Sequence, residues 1–311
     1  MTFRSIFFGT PEFAVPCFRA LAEISEVVAC VCQPDRPKGR GNVLTPPPVK
    51  VCAAELGVSV VQPTKLRTGE LGRWLREQQA DVALVVAYGR ILPLDVLQAP
   101  RLGCINVHAS LLPKYRGAAP ITWAVVDGEH ETGITVMKLD EGMDTGPMLD
   151  RIAAPIDPDE TAGDLSVRLA EMGANAVRTG LPKYVRGESS LVAQDEANAT
   201  VARMLTKEDG RIDWSKTATE VHNHVRGMNP WPGAFTLLEQ KVVKIHRTRI
   251  VVASWPNALP GTVVLADKSR VVVSCGKHAI ELDVVQLEGR KPMRGFDWVI
   301  GRGVREQDRL I

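Results

Sequence analysis

DVALVVAYGRILPLDVLQAPRLGCINVHAS, residues 81–110, is the stretch on which the fold turns. Residues 81–89 are apolar and β-branched with little alternation, as in a strand buried on both faces. GCINVHAS (103–110) is a second such run. Working outward, FRSIFFG (3–9), EVVACVC (26–32) and VSVV (58–61) read the same way. Helical patterns lie between them: Phe13, Cys17 and Leu21 recur at spacing four in 12–22, and 68–79 forms another. Strands alternating with helices predict an α/β domain, a doubly wound, mostly parallel Rossmann-like sheet. ETGITVMKL (131–139) and PMLDRIAAPI (147–156) add two strands joined by DEGMDTG. A long helix follows, with Thr161 and Asp164 as its cap, and Leu165, Leu169, Met172 and Ala176 on one face.

Beyond residue 188 the pattern changes. A polar stretch gives way to β-like runs over 234–288: AFTLLEQ, KVVKIHRTRIVV, GTVVLA, RVVVSC and HAIELDVVQLEG. Short strands with turn residues between them predict a small C-terminal OB-like β-barrel. The chain of 311 residues is long enough for two domains. We therefore expect a catalytic domain at 1–189, a linker at 190–206 and a β domain at 207–311.

Charge sharpens this division. Residues 1–189 carry a net −2 and residues 190–311 a net +4, so the second part suits a polyanionic partner without requiring one. The six cysteines form no CxxC pair, which argues against a disulfide framework or a zinc site and for buried thiols. No secretory signal or membrane-spanning run is evident, so a cytoplasmic protein is expected. No dimer surface stands out, so a monomer is expected.

Phosphate-loop and dinucleotide motifs are missing; the turn after the first strand reads GTPEFAVP. In open α/β sheets ligands bind beyond the carboxyl ends of the strands, where strand order reverses. Asn106 and His108 fall at such an end and share one side of their strand, and Asp144 lies in DEGMDTG. An amide, an imidazole and a carboxylate together suit acyl transfer. The amide stabilises an oxyanion, the imidazole moves a proton or stabilises charge, and the carboxylate orients it or a water. No serine or cysteine elbow accompanies them, which favours direct attack by a substrate nucleophile. On spacing alone, a structural histidine and a turn aspartate explain the same residues.

The wider string decides between these readings. NVHASLLPKYRGAAP (106–120) and LDEGMDTG (139–146) strongly resemble the folate-dependent formyltransferase family. FFGTPEFAVP (7–16), AYGRILP (87–93), LTKEDGRIDW (205–214) and NPWPGA (229–234) extend the likeness over nearly the whole chain. The resemblance implies formyl transfer from 10-formyltetrahydrofolate to the α-amino group of initiator methionyl-tRNA, with no metal. It implies Asn106, His108 and Asp144 as catalytic residues, and Ser110, Leu111, Leu112 and Pro113 as the tetrahydrofolate-contacting segment. Ile91, Leu92 and Asp140 would line the pterin pocket.

The basic segment 34–50, PDRPKGRGNVLTPPPVK, carries a net +3 and is broken by glycine and proline, so no regular element is expected there. It reads either as a solvated loop or, by the resemblance, as a tRNA arm with Arg36, Lys38 and Arg40 as contacts. Lys207 reads as a tRNA contact or a solvated lysine. Lys244, Arg247 and Arg249 alternate on a strand, as a nucleic-acid face or a solvated one. Trp231 is expected as a packed anchor, and His222 and His224 do not form a metal pair. The rivals are formyl transfer to glycinamide ribonucleotide or an amino-sugar nucleotide, a non-catalytic RNA-binding relative, and a nicotinamide oxidoreductase.

Overall fold

A computed structural model describes residues 2–39 and 41–311. It divides into two compact units. The first comprises Met1–Pro120, Glu131–Pro155 and Ser166–Ala202; the second comprises Ile121–His130, Ile156–Leu165 and Arg203–Ile311.

The strands of the first unit are β1 (Phe3–Gly9), β2 (Ser25–Val31), β3 (Arg36–Lys38), β4 (Val43–Thr45), β5 (Val60–Val61), β6 (Val82–Val86), β7 (Cys104–His108), β8 (Arg116–Gly117), β9 (Glu131–Lys138), β10 (Met148–Pro155) and β11 (Val201–Ala202). Seven form one sheet in the order β10-β9-β7-β6-β1-β2-β5. From β7 to β5 the pairing is parallel; β9 runs antiparallel to β7, and β10 to β9. Helices α1 (Val15–Ile24), α2 (Pro48–Glu55), α3 (Glu70–Glu77) and α4 (Leu94–Leu97) connect the parallel strands. β6 and β7 are buried along their whole length, as their unbroken apolar reading requires. Phe7 of β1 stacks on Phe18 of α1 with centroids 4.4 Å apart. Phe8 meets Tyr88 edge-on at 5.4 Å. Each buried ring of this kind contributes roughly 2–3 kcal/mol of burial.

All six cysteines are buried free thiols. Burial pushes Cys17 and Cys104 up to about 12, so neither is a nucleophile near neutral pH.

Two parts of the first unit differ from expectation. Segment 34–50 does hold a regular element, the antiparallel hairpin β3–β4. Gly39, Gly41 and Asn42 all have positive φ, so they reverse the chain, and Pro37 is tolerated because the ribbon has only two strands. Residue 40 lies outside the described residues. The part of the expected linker that belongs to this unit, 190–202, is bound down at several points. Val192 exchanges both backbone hydrogen bonds with Met148, at 2.8 and 2.9 Å, and β11 pairs in parallel with β8.

Helices α5 (Pro120–Val126) and α6 (Ala162–Val185) follow β8 and β10. Thr161 Oγ1 accepts from Asp164 N at 3.1 Å, and Thr161 N donates to the Asp164 carboxylate at 3.3 Å, a reciprocal cap. Helix α7 (Ala218–Gly227) starts with a capping box between Thr217 and Glu220.

The second unit is built on β12 (Phe235–Leu238), β13 (Lys241–Val251), β14 (Val263–Ala266), β15 (Val271–Ser274), β16 (Ala279–Leu287) and β17 (Met293–Arg294), followed by α8 (Gly295–Ile300). The antiparallel order is β12-β13-β16-β15-β14, with β17 on β16. The last residues tie the two edges together. Ile311 exchanges backbone hydrogen bonds with Leu237 of β12, at 2.8 and 3.0 Å, while Leu310 N donates to Gly261 O and Val263 N to Asp308 O. The sheet thereby curls into the expected OB-like barrel and loses its exposed edges. Trp214 and Trp298 fill its core with Val221, Ile245, Val273 and Ile280. Trp231 does not: it is 53% exposed, because turns of proline and glycine on either side hold it out of the barrel.

His222 and His224 both lie on α7. His222 faces Thr248 Oγ1 at 3.0 Å and Pro158 O at 3.2 Å. Burial holds both rings below the ordinary value of 6.5. An unfolded chain therefore takes up protons near that pH that the folded unit refuses, so stability falls as pH drops below about 6.5. We expect the melting temperature to fall more steeply between about pH 7 and pH 5 in the parent than in the His222→Gln/His224→Gln variant, by roughly a few degrees. Identical pH slopes for the two proteins would refute this.

Candidate active site

The cluster begins at the end of β7. Ile105 and Val107 serve the core, and the alternate residues Asn106 and His108 share the other side. Both are buried, at 8% and 6% exposure. β7 lies between β6 and β9, so their backbones are fixed on two sides.

Asp144 reaches them from the loop after β9. Its φ of 56° lies in the left-handed region, which aspartate tolerates better than bulky residues. Asp140 shapes the start of this loop by accepting from Gly142 N at 3.1 Å and Thr145 Oγ1 at 2.7 Å. Gly146 is required at its end, because a Cβ there would stand 1.9 Å from Lys138 O.

Three groups surround the Asp144 carboxylate. Gly117 N donates to Oδ2 at 2.8 Å. His108 Nδ1 is 3.6 Å from the same oxygen. Asn106 Nδ2 is 3.5 Å from Oδ1. The backbone contact is tight and the two side-chain contacts are loose. On its far side, His108 Nε2 meets Tyr115 O at 2.8 Å and must be the donor there. Both ring nitrogens thus face oxygen acceptors, which a doubly protonated ring satisfies and a neutral ring satisfies at one nitrogen only.

Tyr115 and Gly117 owe their positions to the stretch 194–202. Buried Arg116 donates to Gln194 Oε1 at 3.0 and 2.8 Å and forms paired bonds to Glu196 at 2.9 and 2.7 Å. Tyr115 N donates to Thr200 Oγ1 at 2.8 Å, and Ala118 N to Ala202 O at 2.9 Å. Gly117 has φ 112°, and a Cβ there would meet Ala202 O at 2.8 Å. The Gln194 amide also donates to the carbonyls of Asp144 and Gly146, at 2.8 Å each. Gln194 therefore joins the segment carrying Gly117 to the loop carrying Asp144. Sequence reasoning missed this residue, since nothing in a polar stretch marks one glutamine as a clamp.

The remaining candidates are more dispersed. Ser110 and Leu112 are fully buried: Ser110 Oγ donates to Lys114 O, and Leu112 N donates to Thr135 Oγ1. Pro113 is buried and Leu111 half-buried. Leu92 belongs to the sheet core, whereas Ile91 is 64% exposed. Asp140 lines a cleft of about 610 Å³ with Leu94, Leu97, Leu102 and Lys138. Arg36 and Lys38 line another of about 460 Å³ with Thr10, Gln33, Tyr88 and Arg90. Lys50 is held at the base of its segment by both carboxylate oxygens of Asp35 and by Gln62. Lys207 is exposed in the second unit. Among the described residues, no group of three His, Cys, Asp or Glu side chains is placed to hold a metal, and no helix is long and apolar enough to cross a membrane.

The chain belongs to the formyl transferase family: residues 3–181 match its formyl transferase model and residues 204–303 its formyl transferase C-terminal domain model. Within it, a protein of Sorangium cellulosum named methionyl-tRNA formyltransferase is 55% identical over 300 residues, 96% of each chain. One of the same name from Myxococcus xanthus is 47% identical, covering 96% of this chain and 95% of its own. The fold also matches the solved structure of WlaRD, a sugar 3N-formyl transferase, with a TM-score of 0.66 at 18% identity, covering 94% of this chain and 99% of that one.

Gln194→Ala should leave the sheet folded while freeing the Asp144 loop from segment 115–118. We expect roughly a tenfold loss of formyl-transfer rate, the scale of a misplaced catalytic group. Crystallography or hydrogen exchange should show the change confined to 140–147 and 194–202. Full activity in this variant would remove Gln194 from the site.

Proposed function

We propose that the chain transfers the formyl group of 10-formyltetrahydrofolate to the α-amino group of initiator methionyl-tRNA, with Asn106, His108 and Asp144 as catalytic residues. The observation that carries the chemistry is the convergence of Asn106 and His108 on Asp144 through contacts loose enough to open for a reacting group. The relatives' shared name supports methionyl-tRNA as the acceptor.

The amine attacks the formyl carbon, its lone pair forming the new C–N bond while the carbonyl π pair moves to oxygen. The Asn106 amide and a protonated His108 donate to that oxyanion. Asp144, directly or through a water, accepts the proton that this nitrogen, positively charged once the C–N bond has formed, then loses. The oxyanion then collapses, the bond to N10 of the folate breaks, and N10 takes up a proton. One proton leaves the amine and one reaches the folate, so the reaction balances.

The 610 Å³ cleft has the size of a small-molecule site, and its apolar Leu94, Leu97 and Leu102 beside Asp140 suit a flat ring with polar edges. The loop that gives this cleft Asp140 also gives the cluster Asp144, which favours it for the folate. Arg36 and Lys38 on the β3–β4 hairpin, together with Arg40 and Lys207, are the cations we assign to tRNA phosphates.

His108→Ala and Asp144→Asn should each lower formyl incorporation into initiator methionyl-tRNA by about 10²–10⁴-fold, with the protein still folded. Labelled 10-formyltetrahydrofolate offered with initiator, elongator or glycinamide ribonucleotide acceptors tests the whole reading. Unchanged turnover in the variants, or efficient formylation of glycinamide ribonucleotide alone, would overturn it. For the hairpin, Arg36→Gln/Lys38→Gln should raise the KM for tRNA about tenfold, through two lost phosphate contacts. An unaltered KM would make the hairpin a solvated ornament.

A further inference from the structure

Tyr115 has a φ of 60°. In that left-handed region a bulky side chain is an outlier, because its Cβ crowds the following carbonyl. A glycine would make the turn without strain, yet the nearest glycine is Gly117, two residues on. A residue held this way persists only where its surroundings over-determine it. Thr200 supplies the hold. Its hydroxyl accepts from Tyr115 N at 2.8 Å, its carbonyl accepts from Arg116 N at 2.9 Å, and its own N–H donates to Pro113 O at 3.2 Å. The first bond fixes the peptide plane before Tyr115 and the second fixes the plane after it. That second plane carries the Tyr115 carbonyl, which meets His108 Nε2 at 2.8 Å.

The bland reading is that Thr200 stitches its segment to the rest of the unit. The backbone bonds of Thr200 and Ala202 to Arg116 and Ala118 do that without any hydroxyl. What the hydroxyl adds lies at His108, whose two ring nitrogens are held unequally. Nε2 is close to Tyr115 O, whereas Nδ1 stands 3.6 Å from Asp144 Oδ2. Thr135, opposite His108 on β9, has its hydroxyl committed elsewhere: it accepts from Leu112 N and donates to Ser110 O. A carbonyl only accepts, so the contact at 2.8 Å requires the proton on Nε2. Nδ1 is then the nitrogen left on the side of Asp144, with no tight partner of its own.

We propose that Thr200 is a positioning residue for formyl transfer. By holding both peptide planes of Tyr115 it fixes the carbonyl that keeps a proton on His108 Nε2, and so reserves Nδ1 as the nitrogen that donates to the oxyanion. This rests on the proposed function, which makes His108 catalytic. Thr200 itself touches no substrate. Gln194 holds the carboxylate side of the cluster, and Thr200 holds the imidazole side.

The test pairs kinetics with nitrogen NMR on the full chain. Thr200→Val removes the hydroxyl at nearly constant size, and Thr200→Ser keeps it. With 10-formyltetrahydrofolate and initiator methionyl-tRNA, Thr200→Val should lower kcat about tenfold and leave both KM values within about twofold, the pattern of a misplaced catalytic group. Thr200→Ser should return kcat to within about twofold of the parent. In protein carrying isotope-labelled histidine, the His108 signals are those missing from His108→Gln. Recorded at a pH high enough for the ring to carry one proton, they should show it on Nε2 in the parent and in Thr200→Ser, and shared between the two nitrogens in Thr200→Val. Should valine prevent folding, Thr200→Ala is measured in its place. Unchanged kcat, a raised KM in place of a lowered kcat, a serine variant as slow as the valine one, or ring signals that do not move would each overturn the proposal. A parent that formylates no methionyl-tRNA overturns the proposed function, and the ring signals then judge separately whether Thr200 orders His108.

Discussion

The site depends on a strip of hydrogen bonds between residues 115–118 and 194–202. A carbonyl and an amide in that strip, from Tyr115 and Gly117, face His108 and Asp144. Neither group has a side chain to adjust, so their positions are only as good as the backbone that holds them. Arg116 supplies the stiffness. It is buried, and Gln194 and Glu196 take four hydrogen bonds from its guanidinium, so releasing it would leave a desolvated charge uncompensated. Backbone pairing of β8 with β11 then fixes the direction of the strip. The parallel sheet positions Asn106 and His108; the strip positions what they work against.

Much of this was legible in the sequence, and the reasons are physical. Strands buried on both faces must be apolar without interruption, which is why 3–9, 81–89 and 103–110 were readable. Asn106 and His108 stood out because polar residues at the end of such a run need partners. Reciprocal capping at Thr161 was readable because the motif is local. Gln194 was not legible, since its role arises from contacts with Arg116 and the Asp144 loop that only the folded chain brings together. The β3–β4 hairpin was missed because three-residue strands with exposed side chains lack any hydrophobic signature. Trp231 was misjudged because aromatic residues usually bury, whereas turn geometry here dictates exposure.

The barrel of the second unit handles a related difficulty differently. Its curled sheet would otherwise present β12 and β14 as open edges. The final residues of the chain bond to both, so closure comes from a short segment rather than from another long strand. Charged residues can then occupy the outer surface without compromising the core of Trp214 and Trp298. β13 shows this division clearly: Val243, Ile245 and Thr248 point inward while Lys244, Arg247 and Arg249 remain exposed.

The six buried thiols have a practical corollary. With every thiol desolvated inside packed layers, the folded chain offers maleimides and similar electrophiles almost no native target. One cysteine introduced at an exposed position, such as Val43 at the hairpin or Val252 after β13, becomes the sole reactive handle without first stripping the native ones. Fluorophore pairs or spin labels placed this way report on each unit separately, against a background that is chemically dark.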